Sequence, residues 1–196
     1  MMALLFGIIL LSAFMATGHS LECVQCFSFT ETDCTGEQAP CPDDITTCQT
    51  IVSQSVDGDT TSFQVFKDCG AKEQRNPIFR EESPTSYYQQ DIKTCDTDGC
   101  NQGPVSLTPR DNTPNGVKCK TCSKTNDLDC ESDEVMECSG ALDKCLFVAG
   151  EMCDEGDGQI DCAFRLCSDL HIAELHPFHS GQLDNILKKI EITDSV

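Results

Sequence analysis

The amino-acid sequence predicts an all-β protein made of two tandem disulfide-rich domains. Three observations predict it: sixteen cysteines among 196 residues, a cysteine spacing that occurs twice, and short β-branched or aromatic runs bounded by turn residues. No long stretch has convincing helical period, although LDNILKKI near the end fits either a short amphipathic helix or a last strand.

The chain opens on an uncharged apolar run, Ala3 to Phe14, followed by small residues at Gly18 and Ser20. That pattern is a signal peptide over residues 1–20, with the mature protein starting at Leu21; the run is shorter than the ~20 apolar residues a membrane span requires. The last residues are polar, unlike the hydrophobic tail of a lipid-anchor signal, so no membrane anchor is expected and the product should be secreted to the extracellular space. Cysteines in that compartment are oxidised in pairs. With no Trp, two Tyr and ten Phe, the chain has little material for large cores. Disulfides, at ~2–4 kcal/mol each, supply the stability that packing does not.

The repeat is written in the cysteines. Cys23, Cys26 and Cys34 recur as Cys119, Cys122 and Cys130 at an offset of 96, and Cys41 and Cys48 recur as Cys138 and Cys145 at 97. Between the two series runs a Pro- and Gly-rich stretch that suits an extended connector. The expected organisation is a first domain over 21–101, a linker over 102–116 and a second domain over 117–196. In the first domain TTCQTIVSQSV and TSFQVFKDC flank Asp57-Gly58-Asp59 and read as a β-hairpin; SYYQQDIKTC reads as a further strand. The second domain repeats the hairpin with KCLFVAGEM and QIDCAFRLC around a turn at 154–158.

Formal charge is −20, shared evenly between residues 21–100 and the remainder, which excludes nucleic acid as a partner and favours encounter with basic proteins. The two C-x-x-C pairs lie in separate repeats behind a signal peptide, so neither a zinc site nor a redox motif is expected. His171, His176 and His179 sit at mixed spacings around Pro177 and read as an exposed loop. The acidic stretches 127–137 and 154–158 lack the alternating ligands of a calcium loop and read as solvated surface. The sequence contains no G-x-S-x-G and no H-E-x-x-H, and no cysteine is expected to be free as a nucleophile. Neither catalytic residues nor metal ligands nor a cofactor are expected.

The opening L-x-C-x-x-C (Leu21 to Cys26), the cysteine ladder and the closing C-D-x-D-x-C-N (Cys95 to Asn101) together resemble the urokinase-receptor and lymphocyte-antigen three-finger family. The resemblance implies the pairs Cys23–Cys48, Cys26–Cys34, Cys41–Cys69 and Cys95–Cys100, with Asn101 packed into the disulfide-rich palm as a structural residue. Spacing alone would leave 105 connectivities for eight cysteines. For the second domain it implies Cys119–Cys145, Cys122–Cys130 and Cys138–Cys162, which leaves Cys153 with Cys167. Two features depart from the family pattern. The first domain lacks a cysteine pair between Cys69 and Cys95, so its third loop should be looser; the second lacks the closing C-N.

Two such domains without an anchor, the second ending in Leu187 to Ile190 instead of C-N, resemble the gamma-type phospholipase A2 inhibitors. That resemblance implies a protein that binds a secreted phospholipase A2 and blocks it by direct contact through finger loops, often as a homo-oligomer, with the acidic charge favouring basic forms of the enzyme. The alternative is a soluble ligand or modulator of a cell-surface receptor; a third reading is a structural protein whose domains assemble with one another. The sequence leaves the contact residues open. Hairpin tips at Val56 to Ser62 and Glu151 to Ile160 are the natural carriers, because loops on a rigid scaffold commonly carry recognition.

Overall fold

A computed structural model describes residues 20–70, 78–156, 158–170 and 186–195, and these residues form an all-β protein. The first domain contributes β1 (Glu22–Ser28), β2 (Glu37–Pro40), β3 (Cys48–Asp57), β4 (Thr60–Cys69), β5 (Ile78–Glu82) and β6 (Ser86–Cys95). The second contributes β7 (Pro114–Lys120), β8 (Cys122–Thr125), β9 (Val135–Ser139), β10 (Lys144–Glu155), β11 (Gly158–Ser168) and β12 (Leu187–Thr193). LKKI is therefore strand. β7 begins at Pro114, inside the stretch expected to be linker.

The long hairpins form where the turn chemistry places them. β3 and β4 pair from Cys48↔Cys69 up to Asp57↔Thr60, and Gly58 supplies the positive φ, +56°, that a two-residue hairpin loop needs at its first position. In the second domain β10 and β11 pair from Lys144↔Ser168 to Glu155↔Gly158, with Gly156 in the same role at φ +63°. β6 adds to the free edge of β3, and β12 adds to the equivalent edge of β10. Gly150 is needed at that second junction: a Cβ there would sit 2.0 Å from the Ile186 carbonyl oxygen.

Each domain is cored by sulfur. Cys23, Cys41 and Cys48 pack with Leu21 and Ile45 in the first; Cys119, Cys138, Cys145 and Cys167 pack with Leu142 in the second. The structure joins Cys23–Cys48, Cys26–Cys34, Cys41–Cys69, Cys95–Cys100, Cys119–Cys145 and Cys122–Cys130. The two remaining bonds correct the expected pairing: Cys138 is joined to Cys167, not Cys162, and Cys153 to Cys162, not Cys167. The ladder explains the correction. Cys167 stands opposite Cys145 at the base of the β10–β11 hairpin, as Cys69 stands opposite Cys48, whereas Cys162 lies five residues further up, about 17 Å away at strand rise. A palm cysteine cannot reach that far, since disulfide Cα atoms lie within ~7 Å of each other. Cys162 instead meets Cys153 across its own hairpin, beside a bulge that leaves Met152 unpaired.

Asn101 locks the palm of the first domain. Its buried side chain accepts from the Val24 amide at 2.9 Å and donates to the carbonyls of Val24 at 2.9 Å and Gln49 at 3.2 Å, tying β1 to β3.

The domains join edge to edge. β5 pairs with β11 through Glu82↔Cys167 and Glu81↔Ser168, so that one sheet runs β12-β10-β11-β5-β6-β3-β4-β1-β2, with β8 also on β11. Arg80 and Asp169 clamp the seam with a 2.8 Å ion pair and two backbone-directed bonds, Arg80 N–H to Asp169 Oδ1 at 2.7 Å and Asp169 N–H to Arg80 O at 3.2 Å. Ser139 adds a hydroxyl bond to Glu82 at 2.7 Å.

Candidate protein-binding surface

Strand alternation sorts the side chains of the first domain onto two faces. One face takes Val52, Val65, Lys67, Gln89 and Asp91, all buried. The connector covers it: Gly103 accepts from the Lys67 ammonium at 2.8 Å, Thr108 O accepts from the Gln89 amide at 2.9 Å, and Thr108 donates to Asp91. Lys67 also pairs with Asp33, so this fully buried cation is neutralised in place.

Among the described residues the opposite face has no such cover. The registers Phe27↔Phe66, Phe66↔Ile51 and Ile51↔Ile92 set four apolar side chains in one row across β1, β4, β3 and β6. Phe29 extends the row, its ring 5.5 Å from that of Phe27. Phe27 is 68% exposed, Phe29 65% and Phe66 42%, far more than side chains of this size retain when they serve a core. Asp57 and Asp68 fall on the same face by alternation, and no Lys or Arg occupies the described positions of β1, β3, β4 or β6 there. The chemistry offered is an aromatic anchor on a rigid sheet with an acidic margin.

Residues 19–103 match the u-PAR/Ly-6 domain family. The first domain is thus similar to u-PAR/Ly-6 domains. Across both domains the chain is 27% identical over 147 residues to phospholipase A2 inhibitor NAI of Notechis ater, covering 72% of each chain. It is 26% identical over 142 residues to a gamma-type phospholipase A2 inhibitor chain of Elaphe climacophora, covering 71% of this chain and 70% of that one. It is also 32% identical over 93 residues to the urokinase plasminogen activator surface receptor of Mus musculus, 45% of this chain and 28% of the receptor.

Within the first domain, Asn101 occupies the palm. The tip at 56–62 is exposed but polar, holding Asp57, Asp59 and Thr60 to Ser62 with only Val56 apolar, and Gly58 N–H binds Thr85 O of the neighbouring finger at 3.1 Å. It is a rim, not an anchor. The tip at 151–160 carries an ion pair from Glu151 to Lys188 at 2.8 Å. The sulfurs of Cys23, Cys41 and Cys69 converge within 4.8 Å, as do those of Cys119, Cys138 and Cys167, but every one is spent in a disulfide. In the acidic stretch Asp127 pairs with Lys124 and Glu131 with Arg165. The signal segment up to residue 19, the 71–77 part of the third loop and His171, His176 and His179 lie outside the described residues. Sequence reading passed over the aromatic row because its members come from four strands. The signal available was Phe27-x-Phe29, apolar at a spacing of two beside a strand.

Proposed function

We propose that the protein is a secreted, non-catalytic binding protein that inhibits an extracellular phospholipase A2 by seating the Phe27–Phe29–Phe66 face against the enzyme. The observation that supports this reading is an exposed aromatic row on a disulfide-stapled sheet, the kind of rigid anchor around which protein interfaces concentrate their energy. A charge of −20, and the lack of Lys or Arg on this face among the described positions of β1, β3, β4 and β6, favour a basic partner and speed its encounter. Likeness to two phospholipase A2 inhibitors over about seven-tenths of the chain directs the choice of partner.

The test is inhibition of a panel of secreted phospholipases by the full secreted chain at micromolar concentration. Inhibition of at least one basic member is expected, with F27A and F66A each weakening it about tenfold or more and leaving the melting temperature within a degree or two. A panel left fully active refutes the partner. Inhibition unaffected by both substitutions refutes the surface.

A further inference from the structure

A second feature, on the same side of the continuous sheet, lies where the domains meet. β5 and the hairpin β10–β11, with β12 at its edge, wall an apolar hollow of about 410 Å³. Its sides are Phe79, Leu146, Val148, Phe164, Leu166 and Ile190. Register accounts for the set, because Leu146↔Leu166, Val148↔Phe164 and Val148↔Ile190 stand opposite one another and alternation turns them all one way. The volume falls in the ~300–1,000 Å³ range of small-molecule sites.

One charged group interrupts these walls. Glu81 is among the residues that line the hollow, and among the described residues no hydrogen bond or ion pair reaches its carboxyl. Asp169 lies close enough to oppose its ionisation, and Arg80, the nearby cation, is committed to Asp169. A carboxylate without a partner in apolar surroundings is costly, so the group that completes the site is a cation or a strong donor, and the walls ask for hydrocarbon beside it. A fatty-acid anion would bring a further negative charge to Glu81 and Asp169 in a protein already at −20. A neutral chain would leave the carboxylate unmatched.

We propose that the interdomain hollow binds one molecule of a single-chain cationic amphiphile, a long-chain amine, with its alkyl chain along the β10–β11–β12 face and its ammonium group on the Glu81 carboxylate.

Calorimetry of the full secreted chain with dodecylamine at pH 8, below the amine's own aggregation threshold, tests it. One equivalent is expected to bind. Decylamine binds about fifteenfold more weakly, since each methylene buried is worth about a fourfold change in affinity. E81Q weakens dodecylamine at least tenfold, while E37Q, which removes the same charge from the exposed far edge of the sheet on β2, changes it less than twofold. Circular dichroism establishes that both variants keep the parent fold. Several equivalents weakened equally by E81Q and E37Q would mean adsorption to the acidic surface and overturn the proposal. So would absence of saturable heat, or dodecanoate binding as tightly as the amine.

Discussion

Replacing Glu81 with glutamine should stabilise the protein above neutral pH and do nothing in acid. Burial, reinforced by the negative charge of Asp169, pushes the Glu81 carboxyl from 4.5 up to about 7. Below pH 4.5 the folded and unfolded chains both carry its proton. As pH rises the unfolded chain releases the proton first, so stability falls through the interval up to 7 and the full cost is present above it. At ~1.36 kcal/mol per unit, the interval from 4.5 to 7 corresponds to roughly 3 kcal/mol as an upper bound. Glu81 keeps some surface through the hollow, which brings the expected value to about 2 kcal/mol. Glutamine has the shape of the protonated acid and never ionises. Thermal unfolding with disulfides intact should therefore give equal melting temperatures for E81Q and the parent at pH 4, and a variant melting about 4–8 °C higher at pH 8.5. Asp169 is also raised by burial, but the Arg80 bonds pull it down, so D169N should not reproduce the effect. A stability difference of the same size at both pH values, or a less stable variant at pH 8.5, would refute the placement of this carboxyl.

The disulfide frame makes two further predictions. Non-reducing peptide mapping should recover Cys138 linked to Cys167 and Cys153 linked to Cys162; recovery of a Cys138–Cys162 peptide would overturn the β10–β11 register. Chain-entropy arithmetic for loops of 29 and 9 residues gives about 3.6 and 2.6 kcal/mol, so removing the palm bond should cost about 1 kcal/mol more than removing the finger bond, as read from urea midpoints. Asn101→Ala strips the Val24 amide and the carbonyls of Val24 and Gln49 of a partner in a buried palm, and should lower stability by about 3 kcal/mol in the same assay; a loss under 1 kcal/mol would mean water replaces the amide.

Much of the fold was legible because its information is local. Cysteine spacing, Asp57-Gly58 and the β-branched runs of β3 and β4 each specify a neighbourhood of a few residues, and the all-β class follows from them. The candidate surfaces were not legible. Phe27, Phe66, Ile51 and Ile92 share a row only after three registers are fixed, and Glu81 is isolated only after β5 docks on β11. The connector shows the same limit: its composition suggested an extended spacer, yet the buried Lys67, Gln89 and Asp91 bond to it and make it the lid of a polar core.

The mispaired cysteines show how far such local information could have gone. Counting from the turn glycines, Cys69 follows Gly58 by eleven residues and Cys167 follows Gly156 by eleven, so the two are equivalents; Cys162 follows by only six. The repeat offset then grows along the chain, and its last step has a structural cause. It is 97 at Cys48 and Cys145, below the finger, and 98 at the glycines and at Cys69 and Cys167, because β10 carries Met152 as an extra residue between Glu151 and Cys153. A bulge of this kind adds twist and re-aims the next side chain. Here it sets Cys153, opposite Ile160, within reach of Cys162, which faces Gly150. The inserted residue and the extra disulfide are therefore one structural event, and deleting Met152 should disfavour the Cys153–Cys162 bond while leaving Cys138–Cys167 in place.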